Sequence, residues 1–325
     1  MGLKVMRLVF LGTPRFAVPT LESAAEAGHE VLAVVTQPDR PRGRGQHTQP
    51  SPVREAALRL GLPVYQPERV RRPESVEYLR QLRPEAMVVV GYGQIIPQSV
   101  IDLAPLGIIN VHASLLPKYR GASPIQWAII NGETRTGVTT MRIDAGLDTG
   151  DMLLRAEIEI GPEETAIELG ARLAVMGAEL LVDTLAGLAA GTIVPEKQDA
   201  SEATDAPRLK KEDGRIRWNG PAQGIHNRVR GLQPWPGAYT RLRGQTLHIW
   251  KSRGPGAGDR GPGIARTTSF VPGQILSVRP LIAACGSGTL ELVEVQLEGR
   301  KRMSAADFAN GQRLAKNEIL GEAPL

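Results

Sequence analysis

Two polar residues interrupt an otherwise apolar run in Ile108-Ile-Asn110-Val-His112. A spacing of two puts both side chains on one face of a strand, with Val111 on the other. An asparagine amide donates hydrogen bonds, and an imidazole donates or accepts a proton. Together they suit a carbonyl whose oxygen gains negative charge during a reaction. The plainer alternative is a strand-end histidine satisfied by backbone. A second constellation, Gly146-Leu-Asp148-Thr-Gly150-Asp151, sets two carboxylates in a glycine-bounded loop. Taken alone it reads as a turn whose aspartates bond their own backbone, or as a surface cation loop, with a reacting carboxylate as the further reading. A third is cationic: Arg40, Arg42 and Arg44 lie among prolines and glycines. Such a segment is either a plain surface loop or an arm that grips phosphate.

The elements that must position these groups follow from hydrophobic pattern. Val5–Leu11, Val31–Val35, Leu62–Tyr65, Met87–Val90 and Ile108–Val111 read as short apolar strands. Between them, Phe16–Ala27, Val53–Leu60 and Glu74–Leu82 read as helices, the first two ending at Gly28 and Gly61. Continuous apolar strands separated by helices imply a doubly wound parallel α/β sheet covered on both faces. Its ligands are expected beyond the carboxyl ends of the strands, where Asn110 and His112 stand. Residues 37–52 read as a loop. From Thr136 the texture changes: Thr136–Ile143 and Met152–Ile160 alternate like paired strands, and Thr165–Ala190 reads as one long helix opening on a Thr165-x-x-Glu168 capping box. Residues 191–208 read as a polar linker. Beyond them Thr246–Trp250, Gly273–Val278 and Leu290–Leu297 suggest a small β-barrel, with a glycine-rich insert at 254–263.

Composition narrows the function classes. Hydrophobic and charged contents of 42% and 22% are those of an ordinary globular protein, and 325 residues suffice for two domains. A single cysteine, Cys285, excludes an internal disulfide and a cysteine metal site, and it reads as a small buried hydrophobe. The five histidines (29, 47, 112, 226, 248) lack metal-ligand spacing. There is no P-loop signature, and Gly91-Tyr-Gly93-Gln-Ile-Ile96 lacks the third glycine of a dinucleotide fingerprint. No stretch reaches ~18 consecutive apolar residues, and the N-terminal run reads as a strand rather than a signal peptide. A reducing cytoplasm is therefore the expectation. Charge is divided unevenly. Residues 209–325 hold 18 Lys and Arg against 9 Asp and Glu, whereas residues 1–208 hold 21 against 25. A basic tail domain fits either a polyanionic partner or a surface kept soluble.

Asn110-x-His112-x-Ser-Leu-Leu-Pro117, with Asp148 of Gly-Leu-Asp-Thr-Gly 38 residues after the asparagine, resembles the folate-dependent formyltransferases. That resemblance implies a Rossmann-like, mostly parallel sheet and a catalytic triad of Asn110, His112 and Asp148. Further segments are similar to the branch of the family that formylates charged initiator methionyl-tRNA. They are Phe10-Leu-Gly-Thr-Pro-Arg-Phe-Ala17, Thr36-Gln-Pro-Asp-Arg-Pro-Arg-Gly-Arg-Gly45, Tyr119-Arg-Gly-Ala-Ser-Pro-Ile-Gln126 and Gln233-Pro-Trp-Pro236. The likeness spans nearly the whole chain. It implies a catalytic domain at 1–190, the linker at 191–208 and, at 209–325, an OB-like β-barrel that contacts tRNA. Ala113 departs from the family, which usually has glycine there.

The donor implied is 10-formyltetrahydrofolate, with no metal. Its expected pocket is Val90, Gly91, Tyr92 and Ile95 with Ser114, Leu115, Leu116 and Pro117. The tRNA contacts expected are Arg42 and Arg44 on the loop, and Lys210, Lys211, Arg215, Arg217, Arg228 and Arg230 on the basic domain. The chain is expected to be a monomer without membrane attachment. Two other readings stand beside this one: folate chemistry on a nucleotide-sugar amine or glycinamide ribonucleotide, and an RNA-binding protein with a vestigial Rossmann domain.

Overall fold

Short β-branched runs, each ended by glycine or a polar turn, build the first sheet of this computed structural model, which describes residues 5–42, 47–254 and 270–321. Strands β1 (Arg7–Gly12) and β2 (Glu30–Val35) are joined by helix α1 (Val18–Glu26). A two-stranded antiparallel hairpin, β3 (Arg40–Arg42) and β4 (His47–Gln49), replaces part of the plain loop expected over 37–52. Helix α2 (Pro52–Arg59) leads to β5 (Val64–Tyr65), and α3 (Pro73–Leu82) to β6 (Ala86–Val90). The short α4 (Gln98–Ile101) precedes β7 (Ile108–His112). Helix α5 (Pro124–Ile130), strands β8 (Arg135–Arg142) and β9 (Met152–Glu159), and the long α6 (Ala166–Ala190) follow.

The sheet order is β5-β2-β1-β6-β7-β8-β9. The first five pair in parallel, and β8 runs antiparallel to β7. The order reverses between β1 and β6, so the carboxyl ends of β1, β6 and β7 open on one crevice. All five residues of β6 and of β7 are buried, as expected for strands covered on both faces.

Helix α6 has the length and mean hydropathy (1.7) of a membrane span, yet half of that apolar window is buried inside the protein. Gly177 marks where it meets the sheet: a Cβ there would lie 2.8 Å from Val111 Cγ1 and 3.5 Å from Val138 Cγ1. Its start is the expected capping box. Glu168 accepts from the Thr165 amide at 2.8 Å, and the Thr165 hydroxyl accepts from the Glu168 amide at 3.4 Å. The Thr165 hydrogen bonds hold the Glu168 carboxyl below its usual range.

The chain divides into two compact units, the first being residues 1–124, 135–158 and 170–207 and the second the remainder. The second unit holds α7 (Ala222–Gly231), β10 (Ala238–Leu242), β11 (Gln245–Arg253), β12 (Ile275–Val278), β13 (Leu281–Ala284), β14 (Thr289–Leu297), β15 (Met303–Ser304) and α8 (Ala305–Gly311). These strands form one antiparallel sheet in the order β10-β11-β14-β13-β12, with β15 beside β14. Its core gathers Trp218, Leu247, Ile249, Leu292, Val295 and Phe308. Cys285 is buried in the same core, and burial pushes its thiol up to about 12. Most of the glycine-rich insert, residues 255–263, lies outside the described residues.

Candidate active site

Strand alternation at the end of β7 divides its side chains as the sequence implies. Val111 faces α6 at Gly177, so Asn110 and His112 point to the opposite face. Pairing with β8 sets Asn110 opposite Met141 and His112 opposite Thr139. Thr139 then fixes the chain that leaves the strand: its hydroxyl donates to the Ser114 carbonyl at 2.7 Å and accepts from the Leu116 amide at 3.1 Å. The Ser114 hydroxyl closes that turn by donating to the Lys118 carbonyl at 2.6 Å.

Asp148 arrives from the segment joining β8 to β9. The Asx turn in this loop belongs to Asp144, whose carboxylate accepts from the Gly146 amide at 3.0 Å and the Thr149 hydroxyl at 2.7 Å. That arrangement releases the Asp148 carboxylate from local bonding. Gly150 is required beside it, because a Cβ there would sit 1.9 Å from the Arg142 carbonyl oxygen. Asp148 itself adopts the left-handed region, φ +52°. Short polar residues tolerate that region best among non-glycines.

The three groups converge. Asn110 Nδ2 donates to Asp148 Oδ1 at 3.3 Å, and His112 Nδ1 lies 3.5 Å from Asp148 Oδ2. The Gly121 amide donates to Asp148 Oδ2 at 2.9 Å. His112 Nε2 meets the Tyr119 carbonyl oxygen at 2.9 Å. A carbonyl can only accept, so Nε2 carries the proton in that contact. With a carboxylate facing Nδ1, a ring protonated at both nitrogens donates in both directions. The side chains of His112 and Asp148 keep 6% and 17% exposure, so little water comes between them. An amide donor, an imidazole and a carboxylate on one strand edge can stabilise an oxyanion and relay a proton.

Residues 6–185 match the formyl transferase family, and residues 208–313 match the formyl transferase C-terminal domain. The chain is 73% identical over 320 residues to methionyl-tRNA formyltransferase of Solibacter usitatus, covering 98% of this chain and 100% of that protein. The chain belongs to the formyl transferase family. A second relative of this formyltransferase, methionyl-tRNA formyltransferase of Koribacter versatilis, is 56% identical, covering 97% of this chain and 99% of that protein. Two solved structures share its fold. An N-formyltransferase from Helicobacter canadensis in complex with folinic acid and dTDP-3-aminofucose has a TM-score of 0.64 at 19% identity, covering 89% of this chain and 98% of that one. HypX from Aquifex aeolicus with tetrahydrofolic acid has a TM-score of 0.63 at 16% identity, covering 96% of this chain and 48% of that one.

In this formyltransferase the residues expected to hold folate fall into two groups. Val90, Tyr92, Ser114, Leu116 and Pro117 are buried, and Leu115 is half-buried. The Tyr92 side chain belongs to the core, where burial pushes its phenol up, while its carbonyl accepts from Thr13 Oγ1 and Gln37 Nε2, both at 3.1 Å. Gly91 has φ +57° and leaves room for Pro14, and Ile95 stands 87% exposed.

The expected tRNA contacts divide as well. Lys210, Lys211, Arg215 and Arg217 are exposed, and Arg228 is half-buried with its guanidinium donating to the Asp213 carbonyl. Arg230 does not fit a phosphate contact. It is 6% exposed and donates to the Gly161 carbonyl at 3.1 Å, the Glu164 carbonyl at 2.9 Å and Asn227 Oδ1 at 2.9 Å. Burial is also the chief cause that holds its pKa below the usual arginine range. Arg44 and the side chain of Arg42 lie outside the described residues.

Sequence reasoning missed the backbone partners of the triad, Tyr119 and Gly121. Both lie in Tyr119-Arg-Gly-Ala-Ser-Pro-Ile-Gln126, one of the segments that carry the family likeness, but a main-chain role leaves no side-chain signature. A substituent at Gly121 (φ +118°) would lie 2.8 Å from the Ala206 carbonyl oxygen, which explains a glycine there.

Proposed function

We propose that this chain transfers the formyl group of 10-formyltetrahydrofolate to the α-amino group of methionine esterified to initiator tRNA. The convergence of Asn110, His112 and Asp148 at the carboxyl end of β7 carries this reading. The acceptor follows the activity named for relatives that align over the full chain. The neutral amine attacks the formyl carbon and forms the new C–N bond. The carbonyl oxygen becomes an oxyanion held by Asn110 Nδ2–H and by His112. Asn110 has two amide hydrogens, one directed at Asp148 and the other for this oxygen. His112 keeps Nδ1 on Asp148 and exchanges its Tyr119 contact for the oxyanion. One such donor contributes ~3–4 kcal/mol in the transition state. Asp148 takes the amine proton through a water and returns one to folate nitrogen 10 as the C–N10 bond breaks.

The folate site is assigned to Val90, Gly91, Tyr92, Ile95 and Ser114 to Pro117, with main-chain groups at 91–96 bonding the pterin edge. Residues 1–190 are assigned to catalysis and 209–325 to tRNA, joined by 191–208. The tail sheet is read as an OB-like barrel, supported by the bulges that bend β11 at Ile249 to Ser252. Lys210, Lys211, Arg215 and Arg217 then follow backbone phosphates, as Arg42 and Arg44 do near the acceptor stem. With both substrates cytoplasmic, the enzyme acts there, as a monomer.

The test is incubation with charged initiator tRNA and labelled donor, then mass analysis of the released amino acid. N-formylmethionine is the expected product. Label on a sugar amine or glycinamide ribonucleotide, with none on methionine, would refute the acceptor.

A further inference from the structure

The chain between residues 191 and 208 carries one residue that its surroundings single out. Glu196, Lys197, Asp199 and Ala200 are exposed, whereas Gln198 between them is half-buried. Its Nε2 donates to the main-chain carbonyl of Asp148 at 2.9 Å and to that of Gly150 at 2.8 Å. Its Oε1 accepts from Arg120 Nε at 3.0 Å and Nη2 at 2.8 Å. Both amide hydrogens and the oxygen are thus committed. The guanidinium can only donate and the two carbonyls can only accept, so the amide has one orientation.

Arg120 is held in turn. Its amide donates to the Thr204 carbonyl at 2.8 Å, and its carbonyl accepts from the Ala206 amide at 2.6 Å. The neighbouring Tyr119 amide donates to Thr204 Oγ1 at 2.9 Å. Tyr119 and Gly121, on either side of Arg120, are the residues whose backbone touches His112 and Asp148. Two further bonds, Met152 amide to Glu196 carbonyl at 2.8 Å and the reverse at 2.9 Å, fasten the same segment to the start of β9. One stretch of chain therefore clasps both loops that meet at the triad.

We propose that Gln198, oriented by Arg120, is a positioning residue for formyl transfer, which sets the left-handed backbone of Asp148 so that its carboxylate reaches Asn110 and His112. This rests on the assignment of Asp148 to the chemistry. A non-glycine residue at φ +52° needs its backbone held from outside, and two hydrogen bonds, to its own carbonyl and to that of Gly150 just beyond it, are the natural restraint. A displacement of the carboxylate by under an ångström weakens the reaction without altering how either substrate binds.

The test measures kcat and both KM values in the full-length enzyme for Gln198→Ala, Gln198→Glu and Asp148→Ala, and for Gln198→Ala combined with Asp148→Ala. Gln198→Glu keeps the acceptor for Arg120 and removes both donors, so it holds the length of the side chain if alanine proves too disruptive to fold. Each Gln198 variant is expected to lose ~10–30-fold in kcat with both KM values within ~2-fold. In the Asp148→Ala background, Gln198→Ala should cost no further kcat, because it acts through the missing carboxylate. A loss that multiplies in that background, or normal kcat in a folded Gln198→Glu, overturns the positioning role. Full kcat in Asp148→Ala alone would instead overturn the site assignment.

Discussion

Gly177→Ala tests whether packing beneath β7 controls the chemistry above it. The added Cβ would lie 2.8 Å from Val111 Cγ1, against an optimum of ~3.5–4.0 Å for carbon pairs. Helix α6 and β7 must therefore separate by up to ~1 Å, since Val138 already stands at ordinary contact on the other side. Overpacking of this kind costs ~1–3 kcal/mol, partly offset by ~1 kcal/mol from replacing a mid-helix glycine. The separable quantity is the coupling to Val111. Val111→Ala removes the atom that clashes, so Gly177→Ala with Val111→Ala should be more stable than the sum of the single changes by ~1 kcal/mol or more. Because Asn110 and His112 flank Val111, kcat should fall ~10-fold in Gly177→Ala and recover in the pair. Urea unfolding and steady-state kinetics on the four proteins supply both numbers. Additivity within ~0.5 kcal/mol together with unchanged kcat would refute the reasoning.

Other outcomes are open to measurement. Lys210→Ala with Lys211→Ala should weaken tRNA binding and reduce the salt slope of log K by ~0.7–0.9 for each phosphate that is no longer neutralised, leaving folate KM unchanged. Arg230→Met should instead lower the melting temperature, because it strands the carbonyls of Gly161 and Glu164, and a pure change in salt slope with intact stability would contradict its structural role. His226 is buried against Ser252 at 3.0 Å, the Pro162 carbonyl at 3.3 Å, Glu163 at 3.5 Å and Arg230, and desolvation holds its pKa below 6.5. The unfolded chain therefore takes up that proton more readily, so stability should be full above pH 6.5 and decline as pH falls below it. His226→Gln should flatten part of that decline; His29 and His248, which burial shifts the same way, contribute in the same range, and carboxylates held low such as Glu168 add to it at lower pH.

The first unit was legible because its signals are local and periodic. β6 is an unbroken apolar run and β7 departs from one only at Asn110 and His112; in the second unit, the Thr165-x-x-Glu168 start of α6 is likewise a side-chain pattern with one structural meaning. That Asn110 and His112 share one face was legible from alternation alone, whereas the convergence of Asp148 on them was expected only from the family resemblance, since its loop looks like an Asx turn and that turn is made by Asp144 instead. Hidden from sequence were the contacts that run through main chain or across long separations, such as Gly121 to Asp148 and Gln198 to Gly150. Helix α7 escaped notice because Gly224 and the buried His226, Asn227 and Arg230 break the apolar pattern. Strand β13, four buried residues beside a proline, is too short to show a period. Arg230 illustrates the limit of reading charge: a basic residue in a basic tail is indistinguishable by sequence from one that satisfies backbone carbonyls in the interior.

Single-turnover formyl transfer to charged initiator tRNA, measured for Asn110→Ala, His112→Ala and Asp148→Ala beside the unaltered enzyme, puts the joint role of these residues most directly at risk. Each variant should fold and lose ~100-fold or more in rate, and the pairwise combinations should lose far less than the product of the single effects. Rates close to the unaltered enzyme in all three would mean that the chemistry takes place elsewhere.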